Sequence, residues 1–405
     1  MTRIPLLLTC GARCALALGA HAAGPANDGA ARARSDANAI GFALQVAAGQ
    51  GHTCALDAAG AVWCWGLNLH GEVGDGSSGN LRALPVPVSG LGRGVVAISA
   101  GYLHSCALAS DGTVSCWGYN NAGQLGDGST LDANAPVAVA GLAAPARAIA
   151  AGGFHTCALM DGGGVQCWGS NSNGQLGDGS SADHPLPADV SGLPGTATDI
   201  SAGIDTSCAI DGSGGAWCWG AGNLGQLGDG ANSDRHKPVA VSGLSTGVAT
   251  ISAGLWHTCA ISDGGAWCWG SNVNGELGND GASNSNTPVG VASLDSGAVA
   301  IAAGGHHACA LLDGAALCWG GNDRGQLGDG TQLERHVPVA VDGLANDGVA
   351  IGTGDSHSCV VGADGSIHCW GRGDLGQLGD GLGADSSSPV GVIGFGDAIF
   401  NDGFD

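Results

Sequence analysis

The stretch that decides the fold is His104-Ser-Cys-Ala-Leu-Ala-Ser-Asp-Gly-Thr-Val-Ser-Cys-Trp-Gly118. Cys106-Ala-Leu and the run from Thr113 to Trp117 favour two short strands. Asp111-Gly112 between them is a pair that tolerates positive φ in a tight turn. We therefore predict a β-hairpin with one cysteine on each arm.

This hairpin recurs at intervals of 50 to 52 residues along a chain of 405 residues. The cysteines of the first arm are Cys54, Cys106, Cys157, Cys208, Cys259, Cys309 and Cys359. Those of the second arm are Cys64, Cys116, Cys167, Cys218, Cys268, Cys318 and Cys369. Self-similarity at this period predicts a solenoid or a propeller, since one unit cannot bury its apolar faces alone.

The spacing within each hairpin sets its two cysteines face to face. Where they are nine residues apart, a two-residue loop such as Asp263-Gly264 opposes them, and where they are ten apart a three-residue loop does the same. Opposed Cα atoms in an antiparallel pair lie within the distance that a disulfide spans. We predict seven hairpin disulfides. Two alternatives stay open here, reduced buried cysteines and zinc sites that add the His two residues before each first cysteine.

Four strand candidates fall in each repeat. The first resembles Val95–Gly101, the hairpin supplies two more, and the fourth is a Pro-Val-x-Val run such as Pro136–Val139, with Pro expected at its first position. Four short strands repeated seven times predict an all-β fold, a seven-bladed β-propeller of four-stranded blades. The Pro-Val strand could belong to its own blade or to the following one, in which case the last strand would lock the ring.

The chain ends differ from the repeats. Residues 1–23 have the character of a secretory signal, with Arg3, apolar runs and the cleavage site Ala20-His21-Ala22, although Arg13 interrupts the apolar region. Removal of this segment would leave fourteen cysteines, all in the seven pairs. We expect a flexible linker over 24–39, the propeller over 40–394, an acidic-aromatic tail over 395–405, and an exported protein that is periplasmic, cell-surface or extracellular.

Composition excludes several functions. The net charge is −23, with a single lysine, so the surface repels nucleic acid and anionic membranes, and no later run reaches the length of a membrane-spanning helix. The recurrent loop of Gly123–Gly128 (Gly-Gln-Leu-Gly-Asp-Gly) is interpreted as structural, with a calcium site as the alternative. We predict no metal, no cofactor and no catalytic residue. The repeated His and Trp are expected to serve hydrogen bonding and packing between blades.

Two motifs carry a family resemblance. Ala100-Gly-x-x-His-Ser-Cys-Ala-Leu108, followed by Cys116-Trp-Gly-x-Asn-x-x-Gly-Gln-Leu-Gly126, resembles the repeat of the regulator of chromosome condensation family over residues 40–394. The resemblance implies a seven-bladed propeller, and the paired cysteines suggest a secreted, disulfide-rich branch similar in architecture to β-lactamase inhibitor protein II. Chromosomal members are guanine-nucleotide exchange factors, but no exchange wedge is recognisable here and the charge is wrong for chromatin.

The predicted function is a monomeric, non-enzymatic binding module for a protein or surface macromolecule. The alternatives are exchange-factor-like regulation and an enzyme with an axial site. Two residues precede each repeated His, and this pair differs from repeat to repeat. The strands on either side of the pair are nearly identical between repeats. We predict a partner-binding face there. Its residues are Tyr102, Phe154, Asp205, Trp256, His306 and Asp355.

One alternative for this face is that the aromatic residues fill the propeller channel. The neighbouring loops between the third and fourth strands also vary. They are expected to add Arg235-His236-Lys237 and Arg335-His336 to the face.

Overall fold

The computed structural model describes residues 41–396, which form 28 β-strands in seven sheets of four, here called blades 1 to 7. Blades 1 to 3 contain β1 (Ala43–Ala48), β2 (His52–Asp57), β3 (Val62–Gly66), β4 (Arg82–Pro87), β5 (Val95–Ala100), β6 (His104–Ala109), β7 (Val114–Gly118), β8 (Ala133–Ala138), β9 (Ala146–Ala151), β10 (His155–Met160), β11 (Val165–Gly169) and β12 (His184–Asp189). Blades 4 and 5 contain β13 (Ala197–Ala202), β14 (Thr206–Asp211), β15 (Ala216–Gly220), β16 (Arg235–Ala240), β17 (Val248–Ala253), β18 (His257–Ser262), β19 (Gly265–Gly270) and β20 (Ser285–Gly290). Blades 6 and 7 contain β21 (Ala298–Ala303), β22 (His307–Leu312), β23 (Ala315–Gly320), β24 (Arg335–Ala340), β25 (Gly348–Thr353), β26 (His357–Gly362), β27 (Ile367–Gly371) and β28 (Ser386–Gly391).

The predicted seven-bladed, all-β propeller is confirmed. The predicted signal peptide (1–23), the linker (24–39) and residues 397–405 of the tail lie outside the described residues. Within residues 41–396 no helix is long and apolar enough to cross a membrane.

The hairpin register matches the prediction from cysteine spacing. Cys106 opposes Cys116 across a longer loop, and Cys259 opposes Cys268 across a two-residue turn. In that turn Asp263 and Gly264 have φ values of 51° and 82°, as a mirror-image hairpin turn requires. All seven pairs are disulfides with Cα atoms 4.1 Å apart. The zinc alternative is wrong, because every paired sulfur is bonded to its opposite cysteine.

The fourth strand differs from its prediction. Strand β8 begins at Ala133, so Pro136 is its fourth residue rather than its first, and the same offset holds in the other Pro-Val repeats. A register shift between Cys116 and Gly118 lets the chain before the proline pair again with β7. Proline is tolerated because β8 pairs with β7 alone, so its outer edge needs no N–H donor.

Each blade is contiguous in sequence. The last strand, β28, pairs with β27 of its own blade, so the alternative in which a C-terminal strand completes blade 1 is wrong. The ring closes by packing instead, since Val46 and Trp65 of blade 1 share an apolar cluster with Ile367 and Val392 of blade 7. Phe395, assigned to the tail by the sequence, is buried in this cluster with its ring 6.2 Å from that of Trp65.

A repeated hydrogen-bond network joins each blade to the next. At the seam between blades 1 and 2, His52 Nε2 lies 2.8 Å from Ser105 Oγ, and that hydroxyl donates to the main-chain oxygen of Glu72 at 3.2 Å. The indole N–H of Trp117 donates to the same oxygen at 2.8 Å. Because the hydroxyl hydrogen is given to Glu72, the hydroxyl accepts from His52 Nε2–H, which fixes the neutral tautomer. We call this arrangement the seam network.

The expected structural role of the repeated His and Trp is thus seen in the hydrogen bonds. The same network at the closing seam runs from His357 of blade 7 to Thr53 of blade 1, with Gln377 as the shared acceptor for Thr53 and Trp65. The seam histidines are completely buried, and burial is the first cause that lowers their pKa values. The lowered values are about 4 for His52, His155 and His257 and about 3 for His104, His307 and His357.

Candidate binding face

One side of the disc carries both variable connections of every blade and is called the loop face here. The loops between the third and fourth strands are held by their own polar side chains. In blade 2, Asn120 Oδ1 accepts from Leu125 N at 2.9 Å, and Asp127 Oδ1 accepts from Ser129 N at 2.8 Å. The repeated Asp therefore closes a turn within its loop. Within residues 41–396 no group of three or more His, Cys, Asp or Glu is placed to hold a metal ion.

The basic residues expected in these loops lie in strands. Arg235 begins β16 and Arg335 begins β24, and their guanidinium groups lie 2.7 Å from the carboxylates of Asp229 and Asp329. Both aspartates belong to the repeated loop of their own blade. These two arginines are therefore neutralised locally, and they stabilise the loop conformation rather than present free positive charge to a partner.

The connection between the first and second strands of each blade is a pair of residues. The first members of the seven pairs surround the axis and line a cavity of about 100 Å³. We call these seven residues the axial mouth. They are Gln50, Tyr102, Gly153, Ile204, Leu255, Gly305 and Asp355.

A ring of main-chain hydrogen bonds positions the axial mouth. The N–H of each first member donates to an oxygen of the next blade, and Asp355 N to Gly49 O at 3.2 Å completes the circle. Seven glycines make this close approach possible. A Cβ on Gly304, for example, would lie 2.6 Å from the carbonyl oxygen of Gly354. The equivalent positions are Gly49, Gly101, Gly152, Gly203, Gly254, Gly304 and Gly354.

The six predicted face residues divide between the mouth and the surface around it. Tyr102 and Asp355 are first members and line the cavity, whereas Phe154, Asp205, Trp256 and His306 are second members one residue further along. All six are half-buried. Of the three aromatic residues, only Tyr102 lines the cavity, so the alternative in which aromatic residues fill the propeller channel applies to Tyr102 alone.

Aromatic rings cluster over blades 1 to 3. The ring of Phe154 lies 5.9 Å from that of Tyr102 and 6.0 Å from that of Tyr119, which in turn contacts His70 at 4.6 Å. Tilted and edge-to-face aromatic contacts of this kind form rigid apolar surface. Trp256, in blade 5, lies outside this cluster, so the three predicted anchors form two separate places of contact.

The charged second members are held by the preceding blade. Asp205 Oδ1 accepts from Gln175 Nε2 at 2.9 Å, and burial raises the pKa of this carboxyl. His306 Nδ1 lies 3.5 Å from the buried Glu276 carboxylate. Burial alone would raise the pKa of Glu276, but the hydrogen bond from His306 and further favourable contacts lower it to about 2, and the same hydrogen bond raises the pKa of His306. Each member of the pair therefore favours the charged form of the other.

Sequence reasoning missed Gln50, Ile204 and Leu255 as members of the axial mouth. Each stands in the variable pair that the sequence identified, so the signal was present. Which member of a pair faces the axis depends on how the seven blades pack around it, and no single repeat contains that information.

The chain is similar to known proteins over most of its length. A family model described as the RCC1-like domain matches residues 6–354, and a model of the regulator of chromosome condensation (RCC1) repeat matches residues 349–377. Ultraviolet-B receptor UVR8 of Arabidopsis thaliana is 33% identical over 226 residues, which cover 54% of this chain and 51% of the receptor. Probable E3 ubiquitin-protein ligase HERC4 of Homo sapiens is 36% identical over 204 residues, which cover 49% of this chain and 19% of the ligase. The chain thus spans about half or less of the length of these relatives.

Solved structures share the fold. Human WBSCR16 superposes with a TM-score of 0.74 at 23% identity, covering 82% of this chain and 94% of that one. Prp20p from Saccharomyces cerevisiae, described with its binding properties to Gsp1p and histones, superposes with a TM-score of 0.66 at 25% identity, covering 77% of this chain and 80% of that one.

Proposed function

The chain belongs to the family of RCC1-like domains, and we propose that it is an exported, non-enzymatic binding propeller that recognises a protein partner through its loop face. One observation carries the proposal. The seven first connections differ in sequence between nearly identical strands, and the fold gathers all seven on one face. Packing alone would favour one repeated solution, so the variation supports a surface shaped for a partner.

The chemistry of the face supports a protein partner. Tyr102, Phe154 and Trp256 are half-buried on a rigid scaffold, so their positions are fixed before a partner arrives. Large, partly exposed aromatic side chains are typical anchors of protein interfaces, because they bury much apolar area at little cost in conformational entropy. Asp205 and Asp355 would orient the partner by charge.

The proposed export is supported by the seven disulfides, which indicate an oxidising environment. Prp20p is described with protein-binding properties, which fits a binding role for a propeller of this fold. The proposal concerns the class of partner and the face that binds it.

The test compares three forms of the propeller immobilised in parallel and exposed to extracellular protein from the source culture. They are the native chain, a variant with alanine at Tyr102, Phe154 and Trp256, and a control with alanine at Arg93, Thr246 and Asp295. The control residues are exposed in connections between blades, on the opposite side of the disc. All three must melt at similar temperatures before they are compared.

We expect one partner to be retained by the native chain and the control and to be lost by the loop-face variant. Once that partner is purified, Trp256→Ala alone should weaken its binding by about 2 kcal/mol or more. Retention by the loop-face variant together with loss by the control would place the site on the opposite side and overturn the proposal.

A further inference from the structure

The axial mouth is divided into a polar half and an apolar half. The polar residues come from consecutive blades 7, 1 and 2 and are Asp355, Gln50 and Tyr102. The apolar residues come from blades 4 and 5 and are Ile204 and Leu255. Gly153 and Gly305 separate the two halves on either side. A cavity with this division matches a ligand that has one polar end and one aliphatic end.

The polar half offers hydrogen-bond acceptors. Gln50 Nε2 donates to Tyr102 Oη at 2.9 Å, which leaves the amide oxygen of Gln50 and a lone pair of the Tyr102 hydroxyl directed away from that bond. The Asp355 carboxylate accepts a single hydrogen bond, from Ser356 Oγ at 3.2 Å, and forms no ion pair within the described residues. Burial and the charge of Asp355 both raise the pKa of Tyr102, as expected for a carboxylate close to the hydroxyl.

The cations near Asp355 are already occupied. Arg372 is held by both carboxylate oxygens of Asp374, at 2.6 and 3.2 Å, and His306 is paired with Glu276. The Asp355 carboxylate therefore has no ion pair of its own, although its charge helps to raise the pKa values of Arg372 and His306. It lies at the rim of an open cavity. A chain of net charge −23 adds long-range attraction for a positive group.

The cavity also limits the shape of the ligand. Its walls are the Ala-Gly ends of the first strands, and its volume of about 100 Å³ suits an unbranched chain rather than a ring system. We propose that the axial mouth binds a primary alkylammonium group, whose methylene chain contacts Ile204 and Leu255 and whose nitrogen donates to Asp355, Gln50 and Tyr102. The natural source of that group is a lysine side chain projecting from the partner, and this part of the inference rests on the proposed function.

The experiment separates the mouth from the rest of the face by using a small probe. The native chain is titrated with n-pentylamine at neutral pH, and binding is followed by chemical-shift changes or calorimetry. Pentanol and pentanoate serve as the neutral and anionic equivalents. The variants are Asp355→Asn, which keeps the shape of the side chain, and Asp323→Asn, which removes a charge from an exposed residue of the loop face outside the mouth.

We expect saturable binding of pentylammonium, with pentanol and the Asp355→Asn variant each weaker by about tenfold or more, since charge-assisted hydrogen bonds are lost. Asp323→Asn should bind as the native chain does. Equal binding of pentanol and pentylammonium, or unchanged binding by Asp355→Asn, would overturn the inference.

Measurements with a captured partner then distinguish the two proposals. A partner whose binding depends on Trp256 but is unchanged by Asp355→Asn overturns the lysine inference and leaves the proposed function in place. Binding of pentylammonium without any partner that depends on the loop face overturns the proposed function and leaves the chemistry of the mouth in place.

Discussion

The seam network is complete at five seams and incomplete at the two that border blade 5. Between blades 4 and 5, Thr206 stands where the other repeats have His, and its hydroxyl donates to Ala221 O within its own blade. Between blades 5 and 6, Ala308 stands in place of Ser or Thr, and both ring nitrogens of the buried His257 lack a partner among residues 41–396. The loss of the hydroxyl has therefore left His257 without its acceptor, whereas Thr258, opposite Thr206, still donates to Gln226 O at 2.9 Å.

Within the seam network, the bond that every seam keeps is the one donated by the tryptophan. Trp269 donates to Gln226 O at 2.9 Å, and Trp319 donates to Glu276 O at 2.8 Å, as at the complete seams. Both indoles are fully buried in apolar clusters that span two blades. The comparison shows that a seam closes without the bond between imidazole and hydroxyl, and we expect that bond to add stability where it is present.

Acid should produce the largest effect, because it acts on all six seam histidines. Their pKa values in the folded chain are lowered from 6.5 to about 3 or 4, so they stay neutral while the histidines of the unfolded chain take up protons. The contribution of these six histidines to the free energy of unfolding should thus be level well above pH 6.5 and fall as the pH decreases towards 4. The expected loss is on the order of 1–2 kcal/mol per histidine at pH 5.

Denaturant unfolding of the disulfide-intact chain between pH 8 and pH 5 measures this slope. The variant His257→Thr copies the residue found naturally in blade 4, and its unfolding at pH 5 should take up about one proton fewer than unfolding of the native chain. Equal stability at pH 7.5 and pH 5 would contradict the burial of neutral imidazoles at the seams.

Ser105→Ala should convert a complete seam into a copy of the incomplete one between blades 5 and 6. The change removes the hydroxyl that accepts from His52 and donates to Glu72 O, and it leaves a buried imidazole N–H without an acceptor. We expect a loss of about 1–3 kcal/mol in the free energy of unfolding at neutral pH. Ser110→Ala, in the hairpin turn of the same blade, is a control that should change stability little; a similar loss in both variants would mean that the seam network contributes nothing specific.

Ala308→Ser should repair the defective seam and have the smallest effect. Serine occupies the equivalent position at Ser105, Ser207 and Ser358, so the backbone of β22 accommodates it. The new hydroxyl would accept from His257 and donate to Glu276 O, giving a gain of about 0.5–1.5 kcal/mol. Thermal unfolding of the purified variant checks the sign, and the gain should vanish in the double variant with His257→Thr.

The sequence predicted the features that one repeat contains within itself. Cysteine spacing and the Asp-Gly pairs specify the hairpin register. Cys259 and Cys268 are one residue closer in sequence than the cysteines of the longer hairpins, and their loop is one residue shorter, so the two cysteines stay opposed. Period and strand count then gave the seven blades. The variable pairs indicated the loop face.

Features that depend on two blades could not be derived in this way. The acceptor of His52 is Ser105, which is identifiable only once blades 1 and 2 are adjacent. The division of the axial mouth depends on which member of each pair faces the axis. The sequence also did not show that β8 begins before Pro136. A bulge lets the residues that precede the proline pair with β7, and the Pro-Val pattern does not indicate that bulge.

The circular main-chain hydrogen bonds join the blades around the axis independently of the side chains at the axial mouth. Every bond runs in the same rotational sense, and six of the seven end on a glycine oxygen, so neither donor nor acceptor depends on the side chain at the mouth. A residue such as Leu255 could be replaced by a polar one without altering the bond that its N–H makes. The five mouth positions that carry side chains could therefore diverge between related propellers while the ring stays closed. Gly153 and Gly305 could not, because a Cβ there would lie 2.5 and 2.3 Å from a main-chain oxygen of the next blade.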